Sequence, residues 1–213
     1  MKDAGNRMMS LVERAARIGA LLSLLLGALI STSAYADGPA PDELVRKLAA
    51  EMTSAVRSDP ELQNPGSLKI SDFVQKNIVP RFEFERITQI AMGRNWAKAN
   101  PAEQKQIVTE FGKLLTRTYS NAISTLKDLD VEVKSTRVMT PNADVTVKTQ
   151  MIGRPQPVAI DYSLINGPAG WKVYDVTVEG ISLVAAYRDE FAGLVSQSGI
   201  SGLIDALKKK NGG

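Results

Sequence analysis

At Val131 the apolar period of this 213-residue chain changes from about 3.6 to 2. Val131 and Val133 alternate with charged residues. Val145, Val147, Thr149 and Met151 alternate with Thr146, Lys148 and Gln150. Val158, Ile160, Tyr162 and Leu164 alternate with Ala159, Asp161 and Ser163, and Tyr174, Val176 and Val178 alternate with Asp175 and Thr177. Turn residues separate these runs at Pro141-Asn142, Gly153-Arg154-Pro155 and Asn166 to Gly170. Such short links join antiparallel neighbours, so the spacing predicts a four-stranded meander.

Before the meander the pattern is helical. Asp42 to Val56 places Leu44, Val45, Leu48, Met52 and Val56 on one face, and Ser58-Asp59-Pro60 ends it. A short helix opens at Ser71-Asp72-Phe73 and stops near Pro80. Another covers Phe82 to Met92, with Gly93 as its C-cap. Asn100-Pro101-Ala102-Glu103 has the order of a capping box with proline at the first helical position. The helix it opens carries Ile107, Val108, Phe111, Leu114, Leu115, Thr118, Ala122 and Ile123 as a stripe and ends near Leu126. Two helices follow the meander, about Ser182 to Val195 and Ser201 to Lys209. The expected class is α+β: a curved four-stranded antiparallel sheet packed by several helices, NTF2-like, with a hollow apolar core.

The first 36 residues read as a secretory signal peptide. Arg7, Arg14 and Arg17 precede the uncharged run Ile18 to Ile30, and Ala34-Tyr35-Ala36 supplies the small-residue cleavage site. The run is shorter than the ~20 residues of a membrane span. Residues 37–213 are then a single exported domain. The leader takes four of 26 basic and two of 23 acidic residues, leaving 22 and 21 and a net charge of +1. So balanced a chain lacks the basic surface that nucleic acid requires. Cys and His are absent, which removes disulfides, thiol nucleophiles, imidazole bases and the usual zinc and copper ligands.

Trp171 to Val184 reads WKVYDVTVEGISLV and is followed by Tyr187-Arg188-Asp189-Glu190-Phe191. Upstream stand Val79-Pro80-Arg81-Phe82-Glu83-Phe84 and Ala91-Met92-Gly93-Arg94-Asn95-Trp96. Phe111 to Tyr119 and Gly199 to Leu207 add two further segments. Together they resemble the MlaC family of periplasmic phospholipid carriers, also called the toluene-tolerance family. The match runs over nearly all of residues 37–213. Glu83 stands where the family pattern has Asp, and Met92 where it has an aliphatic residue. The resemblance implies a periplasmic carrier with phospholipid as cargo and no cofactor. It implies two partners as well: an outer-membrane lipoprotein–porin complex and an inner-membrane MCE-domain ABC transporter complex.

The resemblance also makes the apolar faces the walls of a lipid cavity. From the sheet these are Val147, Met151, Val158, Ile160, Tyr162, Val176 and Val178. From the helices and their approaches they are Phe82, Ile87, Phe111, Leu115, Tyr119, Ile181 and Val184. Periodicity alone fits a filled core equally, and with it an adaptor that binds no ligand. An enzyme on a cone-shaped fold is the remaining alternative. It needs a carboxylate beside a tyrosine, yet alternation sets Asp161 opposite Tyr162 and turns Asp175 away from the Val176 face. Gly180 is expected where the last strand passes into helix.

Overall fold

The computed structural model describes residues 40–138, 144–153 and 155–212. The leader and the Pro141-Asn142 turn lie outside the described residues. Helix α1 (Pro41–Ser58) has proline in its first turn and buries Leu44, Val45, Thr53 and Val56. Asp59 ends it and caps the 3-10 turn Pro60–Gln63 by accepting from the Glu61 N–H at 3.1 Å. Helix α2 (Leu68–Asn77) begins earlier than the sequence reading places it. The Ser67 hydroxyl accepts from the Ile70 N–H at 3.3 Å, which caps the helix one turn ahead of Ser71. A 3-10 turn (Val79–Arg81) leads to α3 (Phe84–Met92), which Gly93 ends at φ 52°.

Helix α4 (Pro101–Ser120) carries the predicted capping box. The Asn100 side chain accepts from the Ala102 and Glu103 N–H groups, both at 3.0 Å, and Glu103 accepts from the Asn100 N–H at 2.8 Å. Beyond Ser120 the chain tightens into a 3-10 helix, Asn121–Asp128, where the α-pattern was expected to continue. The hydroxyls of Ser124 and Thr125 donate to the Asn121 and Ala122 carbonyls at 2.7 and 2.8 Å. These i to i−3 bonds compete with the α-helical ladder.

The sheet has five strands in the order β1-β2-β3-β4-β5, all antiparallel. They are β1 (Asp130–Val138), β2 (Asp144–Ile152), β3 (Val158–Gly167), β4 (Gly170–Val178) and β5 (Ile181–Ser182). Four strands were expected. The fifth exists because Glu179 and Gly180 both take positive φ, 49° and 83°, as a type I′ hairpin turn requires. Glu179 tolerates that conformation while tied to β3: its N–H donates to the Ala159 carbonyl at 3.0 Å, and its carboxylate accepts from the Ala159 N–H. Gly180 therefore closes a hairpin, and the next helix begins only after the 3-10 turn Ala185–Tyr187.

In β4 a bulge sits at Tyr174: Ser163 pairs with Asp175 and Leu164 with Val173, which leaves Tyr174 unpaired. Helix α5 (Arg188–Lys210) breaks at Gly199 (φ 69°, ψ −172°), the junction between the two expected C-terminal helices.

Three apolar clusters make up the core. Ile87, Ile107, Phe111, Phe191, Leu203 and Leu207 join α3, α4 and α5. Leu44, Val45, Val145, Val147, Leu164 and Val173 join α1 to the sheet. Val56, Leu62, Ile70, Val74, Ile123 and Leu126 join α1 and α2 to the 3-10 segment after α4. Among the described residues no helix is long and apolar enough to cross a membrane.

Candidate functional site

The three clusters do not close on one another. Where they meet lies a cavity of about 260 Å³. Helix α1 gives it Met52, and α2 with the turn after it gives Val74, Ile78, Val79 and Phe82. Phe84 and Ile87 come from α3, and Leu115, Thr116, Tyr119 and Ser120 from α4. Ala122, Ile123, Asp175, Val176, Leu183 and Val184 complete the wall. A smaller chamber of about 90 Å³ lies beneath α1, between Leu44, Val45 and Leu48 on that helix and Met151, Tyr162 and Val173 on the sheet.

The structure brings six of the expected residues to the main cavity: Phe82, Ile87, Leu115, Tyr119, Val176 and Val184. Met151 and Tyr162 line the smaller chamber, which Phe82 also borders. The other six line neither. Phe111 is fully buried, edge-on to Tyr187 and Phe191 at centroid distances of 5.0 and 4.9 Å, so it fills space between α4 and α5. Val147 is sealed within the cluster under α1. Ile160 is buried beside Thr149, whose hydroxyl donates to the Ile160 carbonyl at 2.6 Å. Val158 and Val178 line neither space, although Val158 pairs with Met151 of the smaller chamber and Val178 with Ile160. Ile181 is 67% exposed because the hairpin turn carries β5 outward.

Sequence reasoning left Met52, Val74, Ile78, Val79, Phe84, Ala122, Ile123 and Leu183 off the cavity wall, although Phe84 and Leu183 lie within two residues of ones it named. The bulge at Tyr174 brings Val173 onto the Val176 face. Asp175 still alternates with Val176, the two pairing with Ser163 and Tyr162, yet Asp175 also reaches the cavity rim. There its carboxylate accepts from the Ser182 hydroxyl at 2.6 Å and the Val176 N–H at 2.8 Å, with the Val184 N–H at 3.4 Å. Ser182 in turn accepts from the Ala185 N–H at 2.9 Å. The carboxylate thus fastens the turn from β5 into the Ala185–Tyr187 segment. It is the one charged side chain in the wall of the main cavity, and its acceptor capacity is already engaged.

The phenols near these spaces stay protonated. Burial pushes Tyr162 up to about 12. Tyr119 is also pushed up to about 12, by burial first and then by Tyr187. Tyr119 remains 36% exposed and marks where the cavity opens to solvent. Apart from Asp175, whose carboxylate is held in hydrogen bonds, the wall is mostly Leu, Ile, Val and Phe, which favours hydrocarbon. Among the described residues no cluster of acidic side chains is placed to hold a metal ion. A larger groove, about 540 Å³, runs outside between α1 and β1. It is lined by Arg46, Ser54, Arg57, Ser58 and Asp130, with Arg57 paired to Asp130 at 2.9 Å. It is an open surface groove in which these charged and polar groups stand beside Ala49, Ala50 and Val131.

Known proteins of similar sequence include one named for phospholipid transport and one named for toluene tolerance. The intermembrane phospholipid transport system binding protein MlaC of Haemophilus influenzae is 19% identical over 195 residues, which cover 89% of this chain and 90% of that protein. The toluene tolerance protein ttg2D of Pseudomonas putida is 24% identical over 162 residues, 75% of this chain and 74% of the relative. Among solved structures, the phospholipid-binding protein from Ralstonia solanacearum, in complex with a phospholipid, shares the fold. Its TM-score is 0.73 at 35% identity, over 80% of this chain and 96% of that one. The MlaC protein profile matches residues 46–209, and with the α+β fold and its apolar cavity in place, the chain belongs to the MlaC family and is a binding protein rather than an enzyme.

Proposed function

We propose that this chain is a soluble periplasmic carrier, exported and cleaved after Ala36, that holds phospholipid by its acyl chains in the cavity between the three core clusters. It shuttles lipid between an outer-membrane lipoprotein–porin complex and an inner-membrane MCE-domain ABC complex, and so maintains outer-membrane lipid asymmetry. The observation that carries this reading is the cavity itself: an apolar space of about 260 Å³ in a fold shared at 35% identity with a protein solved around a phospholipid.

The energetics fit a shuttle. Each exposed methylene costs about 0.8 kcal/mol, so the ~30 methylenes of a diacyl lipid amount to roughly 20 kcal/mol or more in water. Moved from bilayer to protein, the chains pass from one apolar phase to another, and the exchange is nearly balanced. No G-x-x-x-x-G-K-[ST] phosphate loop occurs in the sequence, so the direction of transport comes from the partners.

Volume adds a requirement. A 150 Å³ cavity accommodates the six carbons of benzene, about 25 Å³ per carbon. On that scale the 260 Å³ cavity takes about ten carbons, a fraction of a diacyl lipid. Loading therefore moves the walls apart. The seam between the clusters is where they part at least cost, because no packed cluster is then broken.

The test is transfer. The mature chain is loaded with deuterated phosphatidylethanolamine and offered to liposomes with or without a reconstituted MCE-domain ABC complex. Faster loss to the complex-bearing liposomes is expected. Equal loss to both would contradict a shuttle that works between complexes.

A further inference from the structure

The two cavities are neighbours. Met52, Ile78 and Phe82 belong to both walls, so the partition between them is one side chain thick. Each of the three comes from a different element: α1, the end of α2, and the residue after the Val79–Arg81 turn. The backbone at Phe82 is held in place, since Phe82 bridges Val173 and the Glu83 N–H donates to the Val173 carbonyl at 2.8 Å. The ring is half-buried, and it shares both walls with the flexible side chain of Met52.

We propose that Met52, Ile78 and Phe82 form a gate between two acyl chambers, and that this gate sets how many acyl carbons the protein holds. The proposal rests on the phospholipid-carrier reading and deepens it. On the scale of about 25 Å³ per carbon, the main cavity takes about ten carbons and the 90 Å³ chamber three or four more. A single acyl chain that fills the main cavity reaches the gate with carbons to spare. The apolar space beyond it is walled by Val45, Leu48, Met151 and Val173. A tail that passes the gate is sheltered there. A tail stopped by the gate has its last carbons exposed or coiled back at the mouth. Chain length is therefore read at the partition, far from any headgroup.

Two kinds of substitution move this selection in opposite directions. Phe82→Leu thins the partition and opens the far chamber. Leu48→Phe fills the far chamber without touching the main cavity, whose wall Leu48 does not join. The full mature chain and both variants are incubated with vesicles of mixed phosphatidylethanolamine carrying 14-, 16- and 18-carbon chains. Bound lipid is then weighed by native mass spectrometry. The expected result is a shift of at least two carbons per lipid between the variants, longer for Phe82→Leu and shorter for Leu48→Phe, with wild type between them. Loss of packing alone would move both variants the same way. Wild type that binds lipid while all three proteins show one chain-length distribution overturns the gate and leaves the carrier reading standing. Wild type that binds no lipid overturns both.

Discussion

A single carboxylate in the main cavity should switch lipid binding off at neutral pH and partly on again in acid. Leu115 is the position for it. It lies on α4, one turn before Tyr119, half-buried and lining the cavity near its opening. Val147 and Ile181 are poorer choices. A charge at Val147 would break the cluster under α1, and one at Ile181 would sit in water. In the lipid-free Leu115→Asp variant, water reaches the new carboxylate through the opening, and the fold persists. A bound acyl chain removes that water, and the group then protonates rather than stay charged against hydrocarbon. Protonation sets the ceiling on the penalty. From a reference pKa of about 3.9 to pH 7 it costs about 4 kcal/mol, close to a thousandfold in affinity. At pH 5 the same term falls to about 1.5 kcal/mol, or roughly tenfold. Leu115→Asn carries the polar cost without the titration and should show no such pH dependence. The assay is lipid retention at pH 7 and pH 5 for wild type and both variants, with circular dichroism as the check on folding. A folded Leu115→Asp that binds as wild type at pH 7, or that binds equally weakly at both pH values, refutes the reasoning.

Three further predictions concern stability. Hydrogen bonds from Lys113, and then from Asn211, hold the Glu110 carboxyl below its usual value, so its contribution is complete at neutral pH and is lost as pH falls through that lowered pKa. Urea titrations at pH 7 and pH 3 should show Glu110→Gln more destabilising at the first than at the second; the same loss at both would contradict the assignment. Asn100→Ala removes both acceptor bonds of the capping box and should cost about 1 kcal/mol, read as a lower urea midpoint at unchanged slope. Gly153→Ala would bring a Cβ within 2.3 Å of the Asp128 carbonyl at φ 108°, so it should lower the melting temperature more than Asn100→Ala does, and an unchanged melting temperature would show that this contact yields easily.

The residues that announce themselves in the sequence are those whose structure is local. Asn100, Pro101 and Glu103 specify the start of α4 without help from the rest of the chain, and the alternation of Val145 to Met151 and Val158 to Leu164 specifies β2 and β3. Non-local features were hidden. Glu179-Gly180 is short enough to pass for a strand end, and only pairing with β3 and β4 makes it a hairpin with a fifth strand. The bulge at Tyr174 leaves no mark on the alternation until β4 is set against β3, and it brings Val173 onto the same face as Val176. The cavity was half legible for a different reason. Period fixes which face of α4 turns inward, so Leu115 and Tyr119 were identifiable, but it assigns the same face to Phe111. Whether an inward side chain meets another ring or empty space depends on α5, and Phe191 and Tyr187 fill the space around Phe111.

The central claim is that the space between the clusters holds a phospholipid. The most direct measurement is native mass spectrometry of the chain from Asp37 onward, purified from a Gram-negative host by gel filtration. The account predicts an added mass equal to a diacyl phospholipid, near one per chain. A folded, monodisperse protein with no added mass, still empty after incubation with phospholipid vesicles, would contradict it.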